Sequence, residues 1–250
     1  MRVSQEVMSV LDRATCDGNA LSLVALGTLD RKLYADTNKV LVAAGGKWNT
    51  RAKAHLFEGL ASEAIEPIIL TGGIVSQKVE LQQFDTPADV AKGIIATARI
   101  EPEMFVLEPS AGLGPLADAA ANVGGDVTCF EIDPKRSFKL SDSGRHDVTC
   151  CDFLAVPASP IFHRVVMNPP FTRDQDIKHV EHALLFLKPG GRLVAIMSGG
   201  ITFRQGRAAA FRDRVAEMGG TITPLPADSF KASGTSVNTC LVVIDVSEAA

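Results

Sequence analysis

The carboxyl-terminal two thirds of the chain, residues 81–250, alternate between short apolar runs and stretches with helical spacing. Seven runs have the length of a strand: 104–108, 126–132, 147–151, 164–168, 192–198, 221–225 and 239–246. Helical patterns lie near 86–98, 114–122, 177–188 and 205–218. This alternation is typical of a parallel sheet with crossover helices, and nearly continuous apolar strands suit a sheet that is buried on both faces. The last two runs are joined by a loop rich in Ser, Gly and Thr, which predicts one antiparallel strand at the end of an otherwise parallel sheet.

Composition limits the class of protein. The 250 residues are 46% hydrophobic and 22% charged, enough apolar material for a sizeable core. The longest apolar stretches have strand length, so we expect no membrane span, and the N-terminus lacks the apolar centre of a signal peptide. Five cysteines form an odd number without metal-like pairing, so we expect no metal and a reduced, cytoplasmic location. The net charge of −4 excludes a basic surface spread over the whole protein.

The first 80 residues have a different pattern. Helices are predicted over 4–15 and about 29–44, and GGKWNTRAKAHLF predicts a turn and a short hairpin. Residues 31–55 hold six Lys or Arg and one acid, a local excess of +5. This segment has two interpretations: a winged-helix-like reader of nucleic acid, or a solvated basic face on a packing subdomain. The candidate nucleic-acid contacts are Lys47, Trp48, Arg51 and Lys53. We therefore predict two domains, 1–80 and 81–250.

A glycine-rich loop follows the first strand of the larger domain, in VLEPSAGLGPLADAA at 106–120. Gly112 and Gly114 allow positive φ and a close backbone approach to a ligand. A loop of this kind before a helix N-terminus predicts a small-molecule site at the carboxyl end of the strand. A dinucleotide fingerprint requires a third glycine, where this chain has Ala117.

Acidic residues end the next two strands. Glu131 lies about 20 residues beyond the glycine loop, where a carboxylate can accept hydrogen bonds from both hydroxyls of a ribose. Asp133 precedes Pro134 and is predicted to cap a helix. Asp152 is a candidate acceptor for an exocyclic amine of a bound adenine, with Phe153 packed on its ring. The alternative for Asp152 is a residue that begins a turn.

The fourth strand ends in the sequence MNPPF, 167–171. Two prolines hold the backbone rigid after the strand and orient the Asn168 carboxamide and the Pro169 carbonyl towards one point. Two converging acceptors can hold both hydrogens of a planar amino group while its lone pair turns towards an electrophile. Phe171 supplies a flat face for the ring that carries the amine.

Together, LEPSAG, FEIDP, CDFL and NPPF resemble the motifs of S-adenosylmethionine-dependent methyltransferases of the adenine-N6 type. The chain looks most like DNA adenine methyltransferases of the gamma arrangement, whose cofactor motifs precede the NPPY/F motif. Their upstream motif, a helix opened by Thr-Pro, is matched by FDTPADVAKGI at 84–94. The resemblance covers about 84–200 well and does not cover 1–80. It implies a Rossmann-like class I methyltransferase fold, a mostly parallel seven-stranded α/β sheet with an antiparallel last strand, beside a small N-terminal α+β subdomain.

The resemblance also implies roles by position. The methionine end of S-adenosyl-L-methionine would contact the following residues: Thr86, Pro87, Glu108, Pro109, Ala111, Gly112 and Gly114. Glu131 would bind the ribose, Ile132 would pack on the cofactor adenine, and Asp152 with Phe153 would fix that base. The target adenine would be flipped out of the duplex and held by the motif Asn168, Pro169, Pro170 and Phe171, with Phe171 stacking on it. The expected reaction is direct methyl transfer to N6 of adenine in DNA, without a metal.

Gamma-type DNA enzymes usually carry a large target-recognition domain after the catalytic domain, whereas this sequence ends about 50 residues beyond PGGRLVAIM. Small prophage-type adenine methyltransferases are therefore the better comparison, and we expect short or relaxed sequence specificity. The loops 171–178 and 227–238 are expected to flank the mouth of the site. Phosphate contacts are expected from four cations: Arg173, Lys178, Arg204 and Lys231.

Other functions remain open from the sequence. One is an RNA methyltransferase acting on adenine N6 or guanine N2. Two further alternatives are a glutamine-N5 protein methyltransferase and a non-catalytic subunit that binds nucleic acid. His179 and His182 lack a third metal ligand and are interpreted as surface or packing residues, and Cys150 and Cys151 as small core residues. The oligomeric state is open.

Overall fold

A computed structural model of the protein describes residues 2–73, 85–231 and 237–248. The predicted domain boundary between residues 80 and 81, Phe84 of the Thr-Pro motif, and residues 232–236 of the predicted mouth loop lie outside these ranges. None of the helices in the described ranges is long and apolar enough to cross a membrane.

The N-terminal part combines three helices with a small antiparallel sheet. Its elements are α1 (Gln5–Arg13), β1 (Thr15–Asp17), β2 (Ala20–Ser22), α2 (Arg31–Ala43), β3 (Lys47–Asn49), β4 (Ala54–Leu56) and α3 (Ala61–Thr71). The strand order is β1-β2-β4-β3. The structure confirms the two predicted helices and the hairpin β3–β4. The hairpin β1–β2 and helix α3 were not predicted. For the hairpin the reason is that strands of three residues leave too little sequence pattern.

The larger part contains the seven-stranded sheet that the sequence predicts. Its elements are α4 (Ala88–Ala98), β5 (Phe105–Glu108), α5 (Pro115–Asn122), β6 (Asp126–Glu131), α6 (Pro134–Ser141), β7 (Asp147–Cys150), β8 (Phe162–Met167), α7 (Gln175–Ala183), β9 (Leu187–Ser198), α8 (Arg207–Glu217), β10 (Thr221–Pro224) and β11 (Thr239–Asp245). The order is β10-β11-β9-β8-β5-β6-β7. β11 runs antiparallel to both neighbours, whereas β9, β8, β5, β6 and β7 pair in parallel. The antiparallel last strand is thus confirmed, and it lies inside the sheet.

Apolar side chains cover both faces of this sheet. On one face, Ile94 of α4 and Leu116 of α5 are buried against Val106 and Val166 of the strands. On the other face, Val180 of α7 and Phe211 of α8 belong to a second cluster. Burying one such side chain contributes about 1.5–3 kcal/mol. The two clusters fix the strands so that their carboxyl ends meet at a single edge.

The N-terminal part packs against the loops at that edge. The Asn238 amide donates to the Leu70 carbonyl at 3.2 Å. Arg204, which follows β9, donates to Asp12 of α1 at 2.6 Å. Phe203 packs against the apolar core of the N-terminal part. These contacts set the N-terminal helices beside the loops where the sequence places the candidate site.

Candidate active site

A cavity of about 300 Å³ lies at the carboxyl ends of β5, β6, β7 and β8. Nine of the eleven predicted cofactor residues line it: Thr86, Glu108, Pro109, Ala111, Gly112, Glu131, Ile132, Asp152 and Phe153. Of the predicted catalytic residues, Asn168 and Pro170 line it. The fold therefore brings together segments that are more than 80 residues apart in sequence.

The glycine loop and the end of β6 are joined by the carboxylate of Glu131. Its Oε2 accepts a hydrogen bond from the Gly112 amide at 2.7 Å, and its Oε1 accepts one from the Asp133 amide at 2.8 Å. Gly112 has φ +60°, and a Cβ there would approach Arg136 Nη1 to 3.2 Å. Glu131 is thus held in one orientation at the cavity wall, where each carboxylate oxygen has a remaining lone pair for a ligand.

Glu108, at the end of β5, is a buried carboxyl group at the cavity. It is 1% exposed, and its Oε2 has no hydrogen-bond partner among the residues that the structure describes. Burial raises the pKa of this carboxyl well above its ordinary value, and the charges of Asp118 and Glu131 raise it further, against a lowering by the Ala117 amide. A buried oxygen without a partner is costly. At the cavity it is the natural acceptor for a donor group of a ligand.

Gly114 and Pro87, two of the predicted cofactor contacts, do not line the cavity. Gly114 has φ +85°, and a Cβ there would lie 2.3 Å from Leu140 Cδ1. Helix packing and backbone conformation therefore require this glycine. Pro87 precedes helix α4 at its N-cap position. Both residues lie beside segments that line the cavity, and their predicted cofactor contacts stay predictions.

At the end of β7, Asp152 accepts from the Leu154 amide at 3.0 Å and so begins a short helical turn, the alternative considered for it, while it also lines the cavity. The Phe153 ring is 2% exposed and packs on His182 at 4.8 Å and Phe186 at 5.1 Å between ring centroids. It thus lines the cavity only by an edge. Ile132, in contrast, is 64% exposed and offers an apolar surface.

Asn168 is fixed by a residue from outside its own motif. Its Nδ2 donates to Thr86 Oγ1 at 3.1 Å, and Thr86 is itself buried. Because the amide nitrogen is engaged in this bond, Oδ1 is the acceptor of the Asn168 side chain. Thr86 was predicted only as a cofactor contact, so this link between the two motifs is new information from the structure.

Phe171 does not stack at the cavity. Its side chain is 3% exposed and belongs to the apolar cluster that includes Leu70, Phe230 and Val237. The ring is buried because α3 and the segment before β11 close over it. The predicted stacking face is therefore wrong for this conformation, and Pro169, which is buried, does not line the cavity either.

The four predicted phosphate contacts have different surroundings. Arg204 is only 20% exposed and pairs with Asp12 at 2.6 Å and Asp174 at 3.4 Å, so it joins the two parts of the chain, and its predicted phosphate contact is corrected. Arg173 pairs with Glu63 at 3.0 Å but is 71% exposed. Lys178 and Lys231 are exposed.

The four N-terminal candidates lie on the hairpin β3–β4. Lys47 and Trp48 are on β3 and line a second groove of about 280 Å³, and Arg51 and Lys53 are exposed in the turn. This groove lies on an element that does not contribute to the larger cavity.

Sequence reasoning missed several residues of the larger cavity: Asp85, Ser110, Pro115, Arg136, Cys151, Leu154, Gln175 and His179. Arg136 Nη1 donates to Asp85 Oδ1 at 3.2 Å, beside Gly112. The position of Arg136 could have been predicted from the capping residue, because Asp133 follows β6 and accepts from the amides of Lys135 and Arg136. The first turn of α6, which contains Arg136, therefore lies at the edge of the sheet.

The histidines and cysteines have mixed outcomes. His179 is buried with Nδ1 at 2.8 Å from the Gln175 carbonyl, and His182 Nε2 lies 3.0 Å from Val156 O, so both pack around Phe153 as interpreted. Cys150 is exposed and Cys151 is half-buried at the cavity, so their interpretation as core residues was wrong. Within the described ranges, no group of three or more His, Cys, Asp or Glu can hold a metal ion.

Similarity to known proteins agrees with this geometry. The type II methyltransferases M.HincII and M.HindII, both of Haemophilus influenzae, are each 28% identical to the chain over 110 residues, 42% of this chain. The chain matches about 20% of the length of these curated relatives. No family model matches it.

Solved structures share the fold. The type I restriction-modification methyltransferase subunit of Streptococcus thermophilus superposes with a TM-score of 0.58 at 20% identity, over 74% of this chain and 48% of that one. The modification subunit of a putative type I restriction enzyme from Vibrio vulnificus gives 0.57 at 15% identity, over 68% and 46%. A putative RNA methyltransferase from Pyrococcus horikoshii gives 0.51 at 20% identity, over 69% and 91%. The two type II methyltransferases agree with the methyltransferase resemblance of the sequence motifs, and the solved structures share the Rossmann-like fold of the seven-stranded sheet.

Proposed function

We propose that the protein transfers a methyl group from S-adenosylmethionine to the exocyclic N6 of adenine in DNA. The observation that carries this proposal is the Asn168 carboxamide, which is held by Thr86 at 3.1 Å so that Oδ1 is its acceptor. The similarity to type II methyltransferases supports DNA as the substrate.

The cavity fits the cofactor by its donor set and its shape. Glu131 is held to accept from the hydroxyls of a ribose, and the unpartnered Oε2 of Glu108 suits an ammonium group. Ile132 offers an apolar surface for an adenine ring, and Asp152 an acceptor for its amine. S-adenosylmethionine supplies, when bound, a methyl group on a positively charged sulfur.

The protein's own contribution to the reaction is positioning and electrostatics. The Asn168 Oδ1 accepts a hydrogen of the target amine as positive charge develops on its nitrogen. An acceptor fixed in advance stabilises such charge without reorganising at the moment of reaction. Alignment of the amine with the methyl group supplies a further part of the rate. The methylated nitrogen loses one proton to solvent, so that the product amine is neutral.

Recognition of the target base is assigned to the Asn168 acceptor and not to the Phe171 ring, because that ring is buried with Leu70 and Phe230. An adenine in a duplex must leave the stack to reach an acceptor in a cavity, at a cost of about a few kcal/mol. As in the small prophage-type enzymes that the sequence resembles, we expect short or relaxed sequence specificity.

The test is methyl transfer from tritiated S-adenosylmethionine to duplex DNA, followed by digestion to nucleosides. We expect label in N6-methyldeoxyadenosine. Label that appears only in RNA, or only in protein, would overturn the proposed substrate. DNA of random sequence, sequenced for methylated positions after the reaction, measures the specificity. Asn168→Ala is the matched inactive control.

A further inference from the structure

The hairpin β3–β4 carries a group of cations that the rest of the structure leaves uncompensated. Lys47, Arg51 and Lys53 are exposed, and no carboxylate lies within 4.0 Å of any of them in the parts of the chain that are described. Residues 31–55 carry +5 in a protein of net charge −4, so the remainder carries −9. The positive charge is therefore concentrated on this segment.

The same hairpin carries an exposed aromatic ring, Trp48. Trp48, the single tryptophan of the chain, is 49% exposed. It lies directly across the hairpin from His55, and the two rings meet edge to face with centroids 5.1 Å apart. His55 is itself buried, with Nε2 2.9 Å from Asn38 Oδ1 on α2. The inner side of the Trp48 ring is thus supported, and its outer side faces solvent.

The hairpin is rigid enough to present these groups in a fixed arrangement. In the turn, the Ala52 amide donates to Asn49 Oδ1 at 2.9 Å, and Ser22 Oγ donates to the Lys53 carbonyl at 3.2 Å. The groove beside Trp48 is lined by Lys47, Asn49, Leu56 and Phe57, with one carboxylate, Glu58. A flat apolar ring with flanking cations and a polar amide suits a polyanion that carries planar bases.

The hairpin lies apart from the cavity. The helices α1 and α3 contact the loops that follow β8 and β9, through Arg204 with Asp12 and Arg173 with Glu63. The hairpin packs on α2 and pairs with β2, and none of its residues lines the larger cavity. A ligand that contacts both regions must span separate elements of the protein, as a nucleic-acid duplex can.

We propose that the β3–β4 hairpin binds the DNA that flanks the target base, with Lys47, Arg51 and Lys53 on phosphates and Trp48 against the sugar and base edges. This inference rests on the proposed function for its substrate. It assigns to the N-terminal part the role of holding DNA, and to the cavity the chemistry. Phosphate contacts do not depend on sequence, which agrees with the loose specificity expected above.

The test measures the binding of a fluorescent duplex of about 30 base pairs, roughly three helical turns, at several salt concentrations. The variant K47Q/R51Q/K53Q removes three charges from the hairpin. We expect about 10-fold weaker binding and a salt dependence whose slope falls by about one for each lost phosphate contact. Trp48→Ala should weaken binding with an unchanged salt slope, because it removes no charge.

The matched control is K92Q/K135Q/K139Q, which removes three charges from exposed lysines on α4 and α6. Affinity and salt slope of the hairpin variant equal to those of this control would overturn the proposal. The proposal would also be overturned if the hairpin variant bound an RNA duplex more weakly than the wild type does but bound DNA equally well, because RNA would then be the ligand of the hairpin. Circular dichroism must show both variants folded, as exposed positions predict.

Binding and methyl transfer separate this proposal from the proposed function. The hairpin variant should lower kcat/KM on the long duplex through KM, and retain kcat at saturating DNA. If DNA is bound through the hairpin but no DNA is methylated, the proposed function fails while the hairpin assignment stands.

Discussion

The edge of the seven-stranded sheet and the β3–β4 hairpin present their polar groups in opposite ways. At the sheet edge, Glu131 and Asn168 are held by hydrogen bonds of 2.7–3.1 Å to neighbouring elements, and Glu108 is buried. On the hairpin, Lys47 and Arg51 extend into solvent. Held groups can align a small reacting amine, since alignment depends on distances of tenths of an ångström. Free cations can only follow a flexible, highly charged partner. The difference implies that chemistry and substrate affinity are separate properties of the two regions.

A pair of aromatic residues gives the largest expected effect. Phe171→Ala removes a buried ring from the cluster with Leu70 and Phe230 and should lower the free energy of unfolding by about 3–5 kcal/mol. Trp48→Ala, on the hairpin, should cost about 1 kcal/mol or less, because the ring is half exposed and loses mainly its contact with His55. Urea unfolding of both variants measures this contrast. A stable Phe171→Ala protein with impaired transfer would instead restore the predicted stacking role.

Asn168→Ala tests the held acceptor. We expect the rate of methyl transfer to fall by about 10²–10³-fold, the loss typical of one preorganised hydrogen-bonding group. Binding of S-adenosylmethionine, followed by calorimetry, and binding of duplex DNA, followed by anisotropy, should be retained. Thr86→Val removes only the group that orients Asn168 and should have a smaller effect in the same direction. Normal turnover of the Asn168→Ala protein would refute the proposed mechanism.

Two arginines extend the comparison to the contact between the parts. Arg204→Met leaves the carboxylate of Asp12, whose side chain is 8% exposed, without its cationic partner and with the Gln205 amide as its remaining donor, and should destabilise the protein by about 3 kcal/mol. Arg51→Met, at the hairpin turn, should change the free energy of unfolding by about 0.5 kcal/mol or less. Thermal unfolding compares them. Equal stabilities would mean that the Arg204–Asp12 pair is not maintained in solution.

The sequence was informative wherever a functional residue ends a strand of the parallel sheet. Glu131, Asp152 and Asn168 lie at the cavity as predicted, because the carboxyl ends of parallel strands meet at one edge. The glycine loop was placed correctly for the same reason. The pattern of apolar runs was sufficient for this because the central strands, such as β8 and β9, are largely buried.

Residues whose position depends on distant segments could not be predicted. Arg204 and Asp12 are 192 positions apart, and no local pattern announces their ion pair. Phe171 was read from its motif alone, while its burial depends on Leu70 and Phe230 in other segments. The role of Gly114 could not be predicted for the same reason: a glycine is required there because a Cβ would clash with Leu140 of α6. Local patterns determine the elements, and tertiary packing determines which of their side chains remain accessible.

Asp176 gives the smallest and most specific contrast, a dependence of stability on pH. It is 2% exposed at the start of α7, where its oxygens accept from the Ser198 and Ile177 amides at 3.1 and 2.9 Å. Burial raises the pKa of this carboxyl from 3.8 to about 7; the two amides and Arg204 oppose the rise, and Asp174 adds to it.

Between these two pKa values the folded protein holds a proton on Asp176 that the unfolded chain has released, so the contribution of this residue to stability falls as pH rises. Asp176→Asn removes the titration, and its free energy of unfolding relative to wild type should therefore increase from about pH 4 to pH 7 and level off above. The hairpin variant K47Q/R51Q/K53Q should follow the wild-type slope, because Lys and Arg stay charged throughout this range. Urea unfolding across the range measures both, and a constant difference between Asp176→Asn and wild type would mean that the pKa of Asp176 is the same in the folded protein and in the unfolded chain. A rising difference would place a proton-binding carboxyl directly between the loops after β8 and β9, the two loops that contact the N-terminal helices.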